Sequence, residues 1–211
     1  MINYGEEIAY WYLRLNGFFL VTNFVVHQSS RVAHSADVDL IGIRPPHVYE
    51  EVGGQHDDWD EFLKQRLEFG RRTVGLICEV KTGRFEADEL FRLDSVRYAV
   101  GRLGLVPKEE IERITTALTR QACTETVGGV LICKLLLANN YQAADRYLTH
   151  SLEAAEGFLN ERVRRYPADK FGDRMFFPAG HIQHVIQQVR WDDERAGTVP
   201  KHRGARPREN K

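Results

Sequence analysis

The chain has 211 residues, 43% of them hydrophobic and 28% charged, with a formal net charge of -1. That composition supports a folded core and one domain with elaborations, and the near-neutral balance leaves any affinity for nucleic acid to the distribution of charge. No apolar run approaches the ~18 residues that a membrane span requires, and the opening "MINYGEEIAYWY" lacks the layout of a secretory signal.

In chain order, "GEEIAYWYLRLNG" sets Ile8, Tyr12 and Leu15 at helical spacing and stops at Gly17, so a helix is expected. "FFLVTNFVV" is β-branched and aromatic and reads as a strand. "DVDLIGIR" alternates until Pro45-Pro46 halts it, giving a second strand. "HDDWDEFLKQRLEFG" puts Trp59, Phe62, Leu63 and Leu67 on one stripe, with acids at its start and Gly70 at its end. An amphipathic helix over about Asp57 to Phe69 is predicted there, ahead of a third strand in "TVGLICEVKTG". Two helices follow, "ELFRLDSVRYAVGRLG" and "PKEEIERITTALTRQ", the second entered through Pro107. "TVGGVLICKLLLA" is the most apolar run and reads as a buried strand, and "RYLTHS" is a short strand candidate. "SLEAAEGFLNERVRRY" is a helix capped by Ser151, and "AGHIQHVIQQVRW" carries a last apolar stripe. The order predicts an α/β fold, a mixed sheet flanked by helices, over residues 1–191. An insertion occupies about 45–72, and 192–211 reads as a basic, disordered tail. Cys78, Cys123 and Cys133 are odd in number, with two in apolar runs, so reduced thiols of a cytoplasmic protein are expected.

The third strand carries the chemistry. In "LICEVKTG" Glu79 and Lys81 stand two apart and share one face of an extended strand. The strand "DVDLIGIR" offers Asp39, with Asp37 on the same face. If the two strands are antiparallel neighbours, an Asp and a Glu converge beside a Lys. Two carboxylates and water suit a hard divalent cation, and a nearby amine can orient or deprotonate the attacking water and stabilise developing negative charge.

"DVDLIGIR" followed by "LICEVKTG" resembles the D…(D/E)-x-K signature of the PD-(D/E)XK nuclease superfamily. The upstream "GEEIAYWYLRLNGFFLVTN" is similar to the first helix and strand of its small bacterial members and of archaeal Holliday-junction resolvases. The resemblance covers roughly residues 5 to 83. It implies a restriction-endonuclease-like fold and a Mg²⁺- or Mn²⁺-dependent nuclease acting on DNA, branched or damaged DNA included. Carried over, Asp39 and Glu79 would be metal ligands with the backbone carbonyl of Val80. Lys81 would be the catalytic lysine, and Glu6 the helix glutamate of the site. Glu7 competes with Glu6, since acids favour a first helical turn whatever the function. Small members often pair, so a homodimer is a further expectation.

Two function classes stay open: the nuclease, and a noncatalytic module of the same fold that binds a protein or nucleic-acid partner. A salt bridge that kept the geometry and lost the chemistry would suit the second. Basic residues form three groups: Arg71, Arg72, Arg84, Arg92, Arg97 and Arg102; then Arg162, Arg164 and Arg165; then the tail. Each group is either a phosphate-binding face or the wet side of a helix.

Overall fold

The computed structural model describes residues 3–25, 37–140 and 144–166, with 184, 186–189, 191, 192 and 195. Of the last apolar stripe Ile186 and Val189 are described and buried, and of the predicted disordered tail Asp192 and Arg195 are described and helical, whereas the rest of 192–211 lies outside these residues. Helix α1 (Tyr4–Leu15) starts at Asn3, whose side chain accepts from the backbone N–H of Glu6 while the Glu6 carboxyl answers in a capping box. Its Ile8, Trp11, Tyr12 and Leu15 are buried, and Gly17 turns the chain at φ 86°. Strands β1 (Phe19–Val25), β2 (Asp37–Arg44) and β3 (Val74–Lys81) form an antiparallel meander. Helices α3 (Leu93–Leu103) and α4 (Ile111–Leu118) then cross over to β5 (Leu131–Ala138), which runs parallel to β3. On the far side of β5, β4 (Cys123–Glu125) pairs antiparallel with its first half and β6 (Leu148–Ser151) parallel with its second. Helix α5 (Leu152–Arg165) closes the fold, its Ser151 hydroxyl accepting from Ala154 N–H at 2.9 Å.

The fold is α/β, a mixed six-stranded sheet with a helical layer on each face. Even positions of β3 (Val74, Leu76, Cys78, Val80) pack with α1 and α5, whereas Ile77 on the other face packs with α3 and α4. Every residue of β5 is buried, as its apolar run requires at the centre of a sheet. Among the described residues no helix is long and apolar enough to cross a membrane.

The inserted helix between the second and third strands is present but shorter than predicted. Asp58 ends a 3-10 turn, and α2 spans Glu61–Arg66 with Asp60 as its cap. Glu68 adopts φ 52°, ending the helix so that Phe69 can fold back onto Phe18. Trp59, Leu63 and Leu67 are buried, so the stripe does face a core. Arg44, 2% exposed, has its guanidinium 3.7 Å from the Phe69 ring centre and 5.1 Å from that of Trp59. It donates to Asn16 O at 2.8 Å, and burial brings its pKa down to about 10. The insertion thus packs with the α1–α5 layer.

The expectation of three reduced thiols is corrected: Cys123 and Cys133 are joined by a disulfide, and Cys78 alone is a free, buried thiol. The three-residue β4 has no apolar pattern to announce it, yet it sets Cys123 directly opposite Cys133. The thiol-based argument for a reducing compartment falls with it.

Candidate active site

Leu40 lies opposite Cys78 in the β2–β3 register, and one further step puts Asp39 opposite Glu79. Alternation sends both to the α3–α4 face, with Lys81 two residues along on the same side. The side chains meet there. Lys81 Nζ lies 2.9 Å from Glu79 Oε2 and 3.9 Å from Asp39 Oδ2. Val80 N–H donates to Asp39 Oδ2 at 2.7 Å, which fixes that carboxylate over the end of the strand. The site is a rim: the Glu79 side chain is 7% exposed, that of Asp39 19% and that of Lys81 31%.

The electrostatics follow from two carboxylates sharing one ammonium. Burial raises the pKa of Glu79, and Asp39 adds to that, while Lys81 opposes it. Burial disfavours the charge on Lys81, but Glu79 and Asp39 outweigh it and lift the amine above its ordinary value. Acid and base therefore both hold protons more tightly than usual. Among the described residues, Lys81 is the cation that lies within 4 Å of both carboxylates.

Glu6 reaches this field from α1. Gly5 makes the approach possible, because a Cβ there would stand 2.5 Å from Thr82 Cγ2 and 3.1 Å from Val80 Cγ1. The pKa of Glu6 is raised, by burial first and then by the charge of Asp39, with Lys81 pulling the other way. Its oxygens, however, serve the helix cap: the Asn3 side-chain amide and the Asn3 N–H, at 3.4 Å, both donate to them. Among the described residues no three of His, Cys, Asp and Glu gather closely enough to hold a metal. The structure thus brings Asp39, Glu79 and Lys81 into contact and keeps Glu6 at electrostatic range.

The basic groups divide. Arg72 pairs with Glu68 and Glu125 at the opposite end of β3 from Lys81, so Arg71 and Arg72 do not adjoin the site. Arg84, Arg92, Arg97 and Arg102 are exposed. Arg162 is 3% exposed and donates to Gly53 O, and Arg165 lies 3.3 Å from Asp58. Those two hold the insertion, which corrects their reading as a possible phosphate-binding face.

Sequence reasoning missed Phe91 and Lys134. Phe91 N–H donates to Glu79 Oε1 at 3.4 Å from a left-handed backbone, φ 52°, unusual for an aromatic residue. Lys134, 2% exposed on β5, has its Nζ 5.2 Å from the Phe91 ring centre. Burial, with Arg146 nearby, brings its pKa down to about 8. A lone lysine inside "LICKLLLA", the most apolar run of the chain, is the signal that could have found it. Comparison of the chain with family models, with curated proteins and with solved structures finds no match.

Proposed function

We propose that this chain is a metal-dependent nuclease of the PD-(D/E)XK type, hydrolysing DNA phosphodiester bonds at Asp39, Glu79 and Lys81. The observation that carries the reading is the convergence of an Asp and a Glu from adjacent strands on one lysine.

The donors fit Mg²⁺ or Mn²⁺. Two carboxylates and a backbone carbonyl at Val80 are hard oxygens, and an ion that keeps several waters needs no third acidic ligand. Val80 lies beyond the last β2–β3 register pair, so the β2 ladder does not claim its carbonyl. Once bound, such an ion polarises the phosphate and lowers the pKa of a water. Asp39 and Glu79 would hold it. In hydrolysis the water oxygen forms the new bond to phosphorus and gives up a proton to solvent, the bond to the leaving oxygen breaks, and that oxygen takes up a proton. Flanked by two carboxylates, Lys81 is protonated at neutral pH. It would act as a fixed positive charge on a phosphate oxygen and as a proton donor to the leaving oxygen.

The test is nicking of plasmid and branched DNA with Mg²⁺ or Mn²⁺, beside calorimetric metal titration. Lys81→Ala should lower cleavage by a factor of ~10² to 10⁴ while leaving most metal binding. Asp39→Ala should remove both. If the wild type neither cuts nor binds metal, the 2.9 Å Lys81–Glu79 pair is a closed salt bridge and the noncatalytic module is the better reading.

A further inference from the structure

Just past Lys81 the structure opens a cleft of about 540 Å³, within the ~300–1,000 Å³ typical of small-ligand sites. The ends of β3 and β5 are tied together above it: Asn139 N–H donates to Lys81 O and the Asn139 side chain to Thr82 O. The next residues on each strand, Gly83 and Arg84 on one and Asn140 on the other, line the cleft with Phe85, Glu86 and Tyr147. Gly83 is two peptide steps from Lys81, at most ~7.6 Å between Cα atoms.

The lining is chemically specific. Tyr147 is 5% exposed, and its ring lies 5.4 Å from that of Phe91, the residue whose N–H holds Glu79. Among the described residues nothing hydrogen-bonds the Tyr147 hydroxyl and no carboxylate pairs with Arg84. Arg146 donates to Ala87 O on the cleft wall at 3.4 Å, with Lys134 behind it. Among the described lining residues Arg84 is the one cation and Glu86 the one carboxylate, and Arg146 reaches the wall through Ala87 O. Two aromatic rings, one guanidinium, one amide and one carboxylate suit a flat heteroaromatic ring that carries a phosphate.

We propose that this cleft holds an unpaired nucleotide of DNA beside the scissile phosphate, so that the substrate is single-stranded or has a single-stranded branch. The base lies against Phe85 and Tyr147, Asn140 and Glu86 meet its polar edge, and Arg84 takes the phosphate. A paired base inside a duplex cannot enter, because its faces are stacked and its edge is already hydrogen-bonded. The inference rests on the nuclease reading only for the word scissile; the cleft itself binds without metal.

The test is therefore run in EDTA on the full chain, by fluorescence anisotropy with a single-stranded oligonucleotide, its duplex, and a duplex with a single-stranded flap. The single strand and the flap should bind at least tenfold tighter than the duplex. Arg84→Ala should weaken single-strand binding and lower its salt slope by about one, and Phe85→Ala should weaken it by about ten- to hundred-fold. A 2-aminopurine in the oligonucleotide should lose fluorescence on binding the wild type and keep it with Phe85→Ala. Tyr147→Phe keeps the packing against Phe91 and should weaken binding only modestly. Equal affinity for duplex and single strand, or unchanged binding by Arg84→Ala, overturns the proposal even if metal-dependent nicking is observed. Selective single-strand binding without any nicking supports the cleft and refutes the nuclease.

Discussion

Replacing Lys81 by Met keeps the length of the side chain and removes its charge, leaving Glu79 buried beside Asp39 without a counter-ion. At the observed 2.9 and 3.9 Å the gross attractions are about 4–6 kcal/mol each for an effective dielectric near 20. Desolvation and the partial exposure of the amine reduce the net contribution to about 1–2 kcal/mol. Its pH dependence follows from the raised folded-state pKa of Glu79. Below the ordinary value of 4.5 the carboxyl is neutral in both states and the lysine matters little. As pH rises through that value the unfolded chain ionises first, and the folded state of the variant loses about 1.4 kcal/mol per unit until Glu79 also ionises. For Lys81 itself the raised pKa gives stability that is complete below 10.5 and lost as pH climbs through the folded value. Urea unfolding of wild type and Lys81→Met, at about pH 4.5 and at about pH 8, should therefore give a smaller difference at the first than the about 1–2 kcal/mol expected at the second. Mg²⁺ at a hundred times its dissociation constant should add about 2.7 kcal/mol to the wild type at the higher pH. A difference that is the same at both pH values would show that Glu79 does not titrate against Lys81, and the electrostatic account of the site would be wrong.

Asp58→Ala should destabilise the fold by about 2–4 kcal/mol in urea unfolding, because the buried carboxylate accepts from Tyr166 Oη at 2.6 Å and Gln55 N–H at 3.0 Å. Burial raises its pKa, but those hydrogen bonds with Arg162 and Arg165 lower it overall; its stabilisation is complete above 3.8 and fades as pH falls through the folded value. Gly75→Ala should cost about 1–3 kcal/mol in the same measurement, since a Cβ there would meet Ile132 Cδ1 at 2.7 Å. Reducing the Cys123–Cys133 bridge, which closes a separation of 10 residues, should cost about 2.5–3 kcal/mol and lower the thermal midpoint in dithiothreitol.

The strands β1, β2, β3 and β5 and the trio Asp39, Glu79 and Lys81 were legible because each rests on a local pattern. Alternation fixes the faces, and consecutive strands usually pair. What escaped was set by distant contact. Nothing local marks Phe91 for a left-handed backbone; that conformation answers to Glu79 on one side and to Tyr147 on the other. Arg162 and Arg165 read as the wet face of a helix, yet their partners Gly53 and Asp57 stand 109 and 108 residues away. Glu6 was legible as a residue of the site's neighbourhood, whereas its engagement with Asn3 depends on cap geometry that the sequence leaves open between Glu6 and Glu7.

The meander and the parallel crossover meet at β3, and that junction orders the birth of the site in time. Asp39, Glu79 and Lys81 lie on β2 and β3, neighbours in sequence that can pair as soon as both have left the ribosome. β5 joins β3 only after α3 and α4 have been made, because a parallel partner must wait for its crossover. The two carboxylates and the lysine thus come together while still in water, where their charges cost little. The N–H of Phe91 and the helix α3 follow in the chain, and in the folded protein they cover the carboxylate of Glu79. Chain order therefore places the acidic pair on the strands that come first and its cover on the elements that come after.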